Sequence, residues 1–144
     1  MKVKIINKSN NDLPIYSTEH AAGMDLRAYI DKPIVLGSLD RKMVPTGLFI
    51  QLPIGYEAQI RPRSGMAIKY GISVINTPGT IDSDFSGEIC ILLVNLSKDD
   101  FIINSGDRIC QMVVTNHETV KWENVNELEK TKRGSGGFGH TGLK

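Results

Sequence analysis

The chain has 144 residues, with 17 basic and 16 acidic side chains and a formal net charge of +1 at pH 7. This length gives one domain with enough chain for a real core, and the balanced charge excludes a broad basic surface for non-specific nucleic-acid binding. No apolar run is long enough to cross a membrane, and the basic residues 1–8 lack the apolar region of a secretory signal. A cytoplasmic location is expected, with Cys90 and Cys110 as reduced thiols inside apolar strands.

Residues 3–6 read as a first strand, followed by a polar, turn-rich segment. In Ala21-Ala-Gly-Met-Asp-Leu-Arg-Ala28, small residues and Gly23 precede Asp25 and let the backbone run close to another part of the chain. Short strands are predicted at 33–36, 41–44 and 46–52. Residues 56–61 alternate apolar and polar, the mark of a strand with one wet face. The segment Arg61-Pro-Arg-Ser-Gly-Met-Ala-Ile-Lys-Tyr-Gly71 is the one helix candidate, with Ser64 as N-cap and Gly71 as its stop. A helix start beside Arg63 also suits a phosphate.

Apolar residues 72–75 and 89–94 flank Asn76-Thr-Pro-Gly-Thr-Ile-Asp-Ser-Asp-Phe-Ser-Gly-Glu88. This stretch reads as a β-hairpin with a polar tip carrying Asp82, Asp84 and Phe85. Strands are predicted at 88–95 and 101–104. In Gly106-Asp-Arg-Ile-Cys-Gln-Met-Val-Val114, Asp107 and Arg108 read as an ion pair at the start of a strand. Gln111 is polar within an apolar run, so its amide caps a backbone group or meets a ligand. Residues 121–132 form a charged, extended linker whose large apolar residues are Trp122, Val125 and Leu128. The tail from Arg133 has a glycine-rich composition that disfavours order.

Many short strands, regular turn signals and one short helix predict an all-β sandwich or barrel. The spacing Gly134-x-Gly-x-x-Gly139 matches a dinucleotide fingerprint but lacks the surrounding βαβ unit. His20, His117 and His140 are scattered and make no metal-ligand spacing.

Five motifs occur in one order: Ala22-Gly-Met-Asp-Leu26, Pro62-Arg-Ser-Gly65, Gly79-Thr-Ile-Asp-Ser-Asp-Phe-Ser-Gly-Glu88, Gly106-Asp-Arg-Ile-Cys-Gln111 and Arg133-Gly-Ser-Gly-Gly-Phe-Gly-His-Thr-Gly142. Together they strongly resemble the trimeric dUTP pyrophosphatases (dUTPases). The resemblance implies a β-clip or jelly-roll-like barrel with one short helix, assembled as a homotrimer with shared active sites. It implies a core over residues 1–132 and a flexible lid over 133–144 within the same domain. The implied reaction is hydrolysis of dUTP to dUMP and pyrophosphate with Mg2+, which limits uracil in DNA and supplies dUMP for dTMP synthesis.

At the matching positions, Asp82 is the acid that orients and deprotonates the attacking water. Asp25 reaches Mg2+ through water. Ser64 and Gly65 match phosphate-contacting residues, with Arg63 beside them, and Gln111 matches the contact to the α-phosphate. Asn76 stands where the family hairpin reads the uracil edge, and a fixed donor and acceptor pattern there rejects cytosine. Phe85 departs from the usual Tyr: it keeps the ring against a 2′-hydroxyl and loses the phenol's hydrogen bond. Asp84 is read as structural. In the tail, Phe138 matches the ring stacked on uracil. Arg133 and the backbone around Gly137 and Gly139 match the γ-phosphate clamp, with Ser135 and Thr141 as hydroxyl donors.

Two rivals are disfavoured. The dCTP deaminase branch of the same fold would need an arginine at position 68 and a glutamate at position 92, where this chain has Ile68 and Leu92. A nucleotide-binding regulator without turnover would not need Asp82, Asp25 and the whole tail together.

Overall fold

Among the described residues, eleven short strands and one helix follow one another: β1 (Lys4–Asn7), β2 (Met24–Arg27), β3 (Ile34–Leu36), β4 (Arg41–Pro45), β5 (Leu48–Gln51), β6 (Tyr56–Arg61), α1 (Ser64–Tyr70), β7 (Ile72–Val74), β8 (Gly79–Ile81), β9 (Cys90–Asn95), β10 (Phe101–Ile103) and β11 (Arg108–Asn116). The computed structural model describes residues 1–142, so Leu143 and Lys144 of the expected lid lie outside the described residues. The strands form four sheets: β1 with β5, β3 with β10, a four-stranded sheet in the order β2–β11–β6–β8, and a three-stranded sheet in the order β4–β9–β7. Every pairing is antiparallel.

Alternation decides which face is buried. In β6, Ala58 and Ile60 are buried while Glu57, Gln59 and Arg61 keep contact with solvent. All four sheets feed one apolar core. Leu26, Ala58, Ile60 and Met112 come from the four-stranded sheet; Val44, Ile72, Ile91 and Leu93 come from the three-stranded one; Leu36, Leu48, Ile50 and Ile103 complete it. Leu93 is fully buried, and cutting such a side chain back to alanine costs about 2–5 kcal/mol. The fold is all-β and jelly-roll-like, with one short helix. Among the described residues no helix is long and apolar enough to cross a membrane.

Two expectations change. The flanks of the central stretch do pair as a hairpin, with Ile72 opposite Asn95 and Val74 opposite Leu93. The tip is more than a turn, however. It leaves the three-stranded sheet, and Gly79–Ile81 pairs with β6 as the edge of the four-stranded sheet. The helix also starts one residue earlier than expected. Arg63, not Ser64, takes the extended cap position (φ −95, ψ 130), with no side-chain capping bond. Its carbonyl accepts the first helical bond from the Ala67 N–H at 3.0 Å. Gly71 ends the helix as expected, in the left-handed conformation (φ 67) that glycine adopts without steric cost. Residues 121–132 contain no strand or helical turn and are exposed throughout.

Candidate active site

Asp25 lies in β2 directly opposite Gln111 of β11, and Arg61 of β6 faces Gln111 from the other side. Gly23 permits this packing, because a Cβ there would collide with the Gln111 side-chain oxygen. The Gln111 Nε2 donates to the Pro62 carbonyl at 2.9 Å. The amide therefore caps the backbone just before Arg63.

The Asp25 carboxylate is about three-quarters buried and meets two arginines. Arg63 Nε lies 3.1 Å from Oδ1, and Arg108 Nη1 lies 3.2 Å from Oδ2. Arg63 Nη1 donates to the Arg108 carbonyl at 3.0 Å. Two guanidiniums on one carboxylate leave a net positive cluster, which suits an anion with several oxygens. The expected Asp107–Arg108 ion pair is not what forms. Asp107 instead accepts from the Asn104 N–H at 2.7 Å. A bulge redirects Arg108: it faces Arg27 while Cys110 faces Leu26, so one extra residue, Ile109, enters β11.

Asp82 belongs to a different part of the surface. It follows β8, and β11 and β6 lie between β8 and β2. Ile81 aligns with Ala58 and Val114, three residues along the strand from Gln111. Ordinary strand spacings then put Asp25 and Ile81 about 17 Å apart. Asp82 opens a turn in which the Phe85 N–H donates to the Asp82 carbonyl at 3.2 Å. The stretch is thus turned rather than extended, and Asp82 and Asp84 are both exposed. Phe85 lines a cavity of about 380 Å³ with Ile5, Ile6, Phe49 and Ile50. Asn76 packs on Gly79, where a Cβ would come within 3.1 Å of its Nδ2.

Ser64 and Gly65 open α1 on the exposed surface beside Arg63. The tail stands apart. Among the described residues, hydrogen bonds of residues 131–142 stay within that stretch, such as Arg133 Nε to the Gly136 carbonyl at 2.7 Å. Ser135, Phe138, Gly139 and Thr141 are exposed, and Gly137 is only partly covered.

A sequence profile of the dUTPase family matches residues 9–142. The chain belongs to the dUTPase family. The deoxyuridine 5'-triphosphate nucleotidohydrolase of Finegoldia magna is 58% identical over 142 residues, covering 99% of each chain. That of Rickettsia felis is 50% identical, covering 99% of this chain and 97% of its own. Among solved structures, a dUTPase mutant of Staphylococcus bacteriophage 80alpha with dUpNHpp superposes with a TM-score of 0.84 at 21% identity, covering 99% of both chains. A dUTPase mutant from phage phi11 of S. aureus, solved to show the coordination of a structural Mg(II) ion, gives 0.80 at 20% identity, covering 90% of this chain and 100% of that one. These two share the all-β fold.

For a dUTPase, the donor set around Asp25 fits Mg2+ only in an outer role. No group of three or more His, Cys, Asp or Glu converges among the described residues. A carboxylate has about four lone-pair sites, so Asp25 can accept from both arginines and still receive a metal-bound water. Mg2+ keeps waters and takes its remaining ligands from substrate phosphates. The dUTPase also has two free thiols. Cys110 is buried, and that burial, with Asp25 nearby, pushes its thiol well up. Burial and then Glu88 push up Cys90.

Proposed function

We infer that the chain works as a homotrimeric dUTP diphosphatase in which Asp82 activates water and Asp25 holds Mg2+ through water. It hydrolyses dUTP to dUMP and pyrophosphate. The observation that carries the assembly is the separation, about 17 Å by strand spacing, between the Asp25 cluster and the end of β8 at Ile81. A single α-phosphorus cannot touch both groups in one chain, so Asp82 of one subunit serves the phosphate cluster of another.

Arg63, with Ser64 and Gly65 at the start of α1, receives phosphate oxygens, and Gln111 meets the α-phosphate. The water held by Asp82 loses a proton to the carboxylate as its oxygen bonds to the α-phosphorus. The bond from the α-phosphorus to the bridging oxygen breaks, and pyrophosphate leaves with that electron pair. A positioned carboxylate base is worth roughly 10²–10⁴ in rate. Mg2+, when bound, neutralises charge that builds on the phosphate oxygens.

Asn76 and the backbone around it read the uracil edge. Phe85 takes the sugar face and leaves no room for a 2′-hydroxyl. Residues 1–132 form the core, and the tail from Arg133 closes over the substrate. In the closed form Phe138 stacks on the base. Arg133, Ser135, Thr141 and the backbone at Gly137 and Gly139 hold the γ-phosphate. The free, partly or fully buried thiols suit a reducing cytoplasm. There the activity keeps uracil out of DNA and supplies dUMP for dTMP synthesis.

The test is product analysis with dUTP in ¹⁸O-water. Equal dUMP and pyrophosphate are expected, with the label in dUMP. Label in pyrophosphate, or release of orthophosphate, would overturn attack at the α-phosphorus.

A further inference from the structure

We propose that Gly87 is a specificity-positioning residue. Its missing side chain lets the Phe85 ring fold back over the chain, and this sets the shape of the sugar gate. The proposal rests on the reading of Phe85 as the block against a 2′-hydroxyl and adds a second residue to that device.

The geometry is local and tight. A Cβ built on Gly87 would lie 2.6 Å from Phe85 Cζ, 2.9 Å from Cε2 and 3.4 Å from Cε1. Real Cβ atoms do not come that close to carbon, so a methyl at position 87 and the ring as it stands exclude each other. One of them must move, and the surrounding bonds decide which. The Glu88 Oε1 accepts from the Gly47 N–H at 2.7 Å. The Thr46 hydroxyl donates to the Ile89 carbonyl at 2.7 Å in a buried bond, and the Ile89 N–H donates to the Leu48 carbonyl at 2.8 Å. The chain just after Gly87 is therefore pinned to the β4–β5 turn. The Phe85 backbone is held in its own turn by the bond to Asp82. The ring is the free element: it ends a rotatable side chain and is 42% exposed.

Gly87 is not required for its backbone. It is absent from the residues with left-handed φ, so alanine fits the main chain and only the contact with the ring changes. Gly87→Ala should thus displace the ring without removing it. A phenyl group lacks the phenol that could anchor a tyrosine to a polar partner, so here the close packing on Gly87 limits the ring's angle. The open face of the ring is the one left for the sugar, and a methyl at position 87 tilts the ring off that face and opens space for a hydroxyl.

The experiment compares kcat/KM for UTP and dUTP in wild type, Gly87→Ala, Phe85→Ala and the double variant. Phe85→Ala is expected to raise the UTP to dUTP ratio by about tenfold or more. Gly87→Ala is expected to raise it in the same direction, and to have no further effect once Phe85 is alanine. If Phe85→Ala relaxes the ratio and Gly87→Ala does not, the positioning role is wrong and the gate stands. A ratio unchanged in Phe85→Ala removes the gate itself and the proposal with it. An equal effect of Gly87→Ala in both backgrounds also overturns the proposal, because the glycine would then act without the ring. Should Gly87→Ala fail to fold, proton NMR of the wild type decides. Ring-current shifts of the Gly87 Hα protons that vanish in Phe85→Ala are expected, and their absence from the wild type would overturn the packing.

Discussion

Asp25 joins two arginines through a single carboxylate. Its two oxygens are each taken by an arginine, at 3.1 and 3.2 Å, so the carboxylate orients both Arg63 and Arg108. The neighbouring Gly23 is a sensitive position, because any side chain there strikes Gln111. Gly23→Ala is expected to push Gln111 off the Pro62 carbonyl and to cost about 1–3 kcal/mol through overpacking. Urea unfolding checks the stability, and a raised KM for dUTP checks the phosphate contact. A separate expectation concerns Cys110. Burial raises its thiol pKa, so above the ordinary thiol pKa the unfolded chain ionises there while the folded chain does not. Stability is fully present below that value and falls as pH rises beyond it. Cys110→Ala should flatten the alkaline decline seen in melts taken from neutral to high pH. At this scale the sequence was readable where one residue type has one use. Gly71 as helix stop and Gly23 as a close approach both follow from the missing Cβ. Arg108 pairs with Asp25 and not with its sequence neighbour Asp107; strict alternation would place Arg108 and Gln111 on opposite faces. The inserted Ile109 breaks that parity, and no residue type announces a bulge of this kind.

Among the elements, the strands with plain alternation were legible, and β8 was not. Pro78 and Gly79 carry turn chemistry, and only pairing with β6 makes Gly79–Ile81 a strand. Local pattern cannot reveal a tertiary pairing of three residues. The helix is legible in the sequence except at its first residue, since Ser64 is a good cap by type while the extended Arg63 holds the position. The tail was legible as a motif, yet in this chain its hydrogen bonds close on themselves. Ordering such a glycine-rich segment costs about 1–2 kcal/mol per residue, which a triphosphate can offset through Arg133 and backbone N–H groups. Stacking of Phe138 on uracil adds about 1–3 kcal/mol. Truncation after Lys132 is expected to leave a folded protein that binds dUMP weakly and nearly loses dUTP turnover. Limited proteolysis gives a second reading: the tail should be cut quickly alone and protected by an unreactive dUTP analogue with Mg2+. Equal cutting in both states would remove the lid.

The whole molecule poses the question of where one active site lies. The Asp25–Arg63–Arg108 cluster and the end of β8 before Asp82 lie at opposite edges of one sheet, and neither can swing toward the other without breaking the β11–β6 and β6–β8 pairings between them. The 121–132 linker leaves Trp122 and Leu128 93% and 86% exposed, side chains that a lone chain would leave in water at a cost. The proposed ring of three copies would account for both, since each neighbour contact repeats around a closed symmetry. Sedimentation at low concentration is expected to give three times the 15.9 kDa chain mass. Mass alone does not test sharing, but complementation does. Asp82→Asn is expected to lower turnover by roughly 10²-fold or more while substrate still binds, and Asp25→Asn to disable the phosphate side. Co-refolded in equal amounts, the two inactive chains form mixed trimers. If each site takes Asp82 from one subunit and Asp25 from another, about one quarter of the sites are intact by random assembly, and about that fraction of wild-type activity returns. If both residues came from the same chain, no intact site could form and the mixture would stay as inactive as its parts.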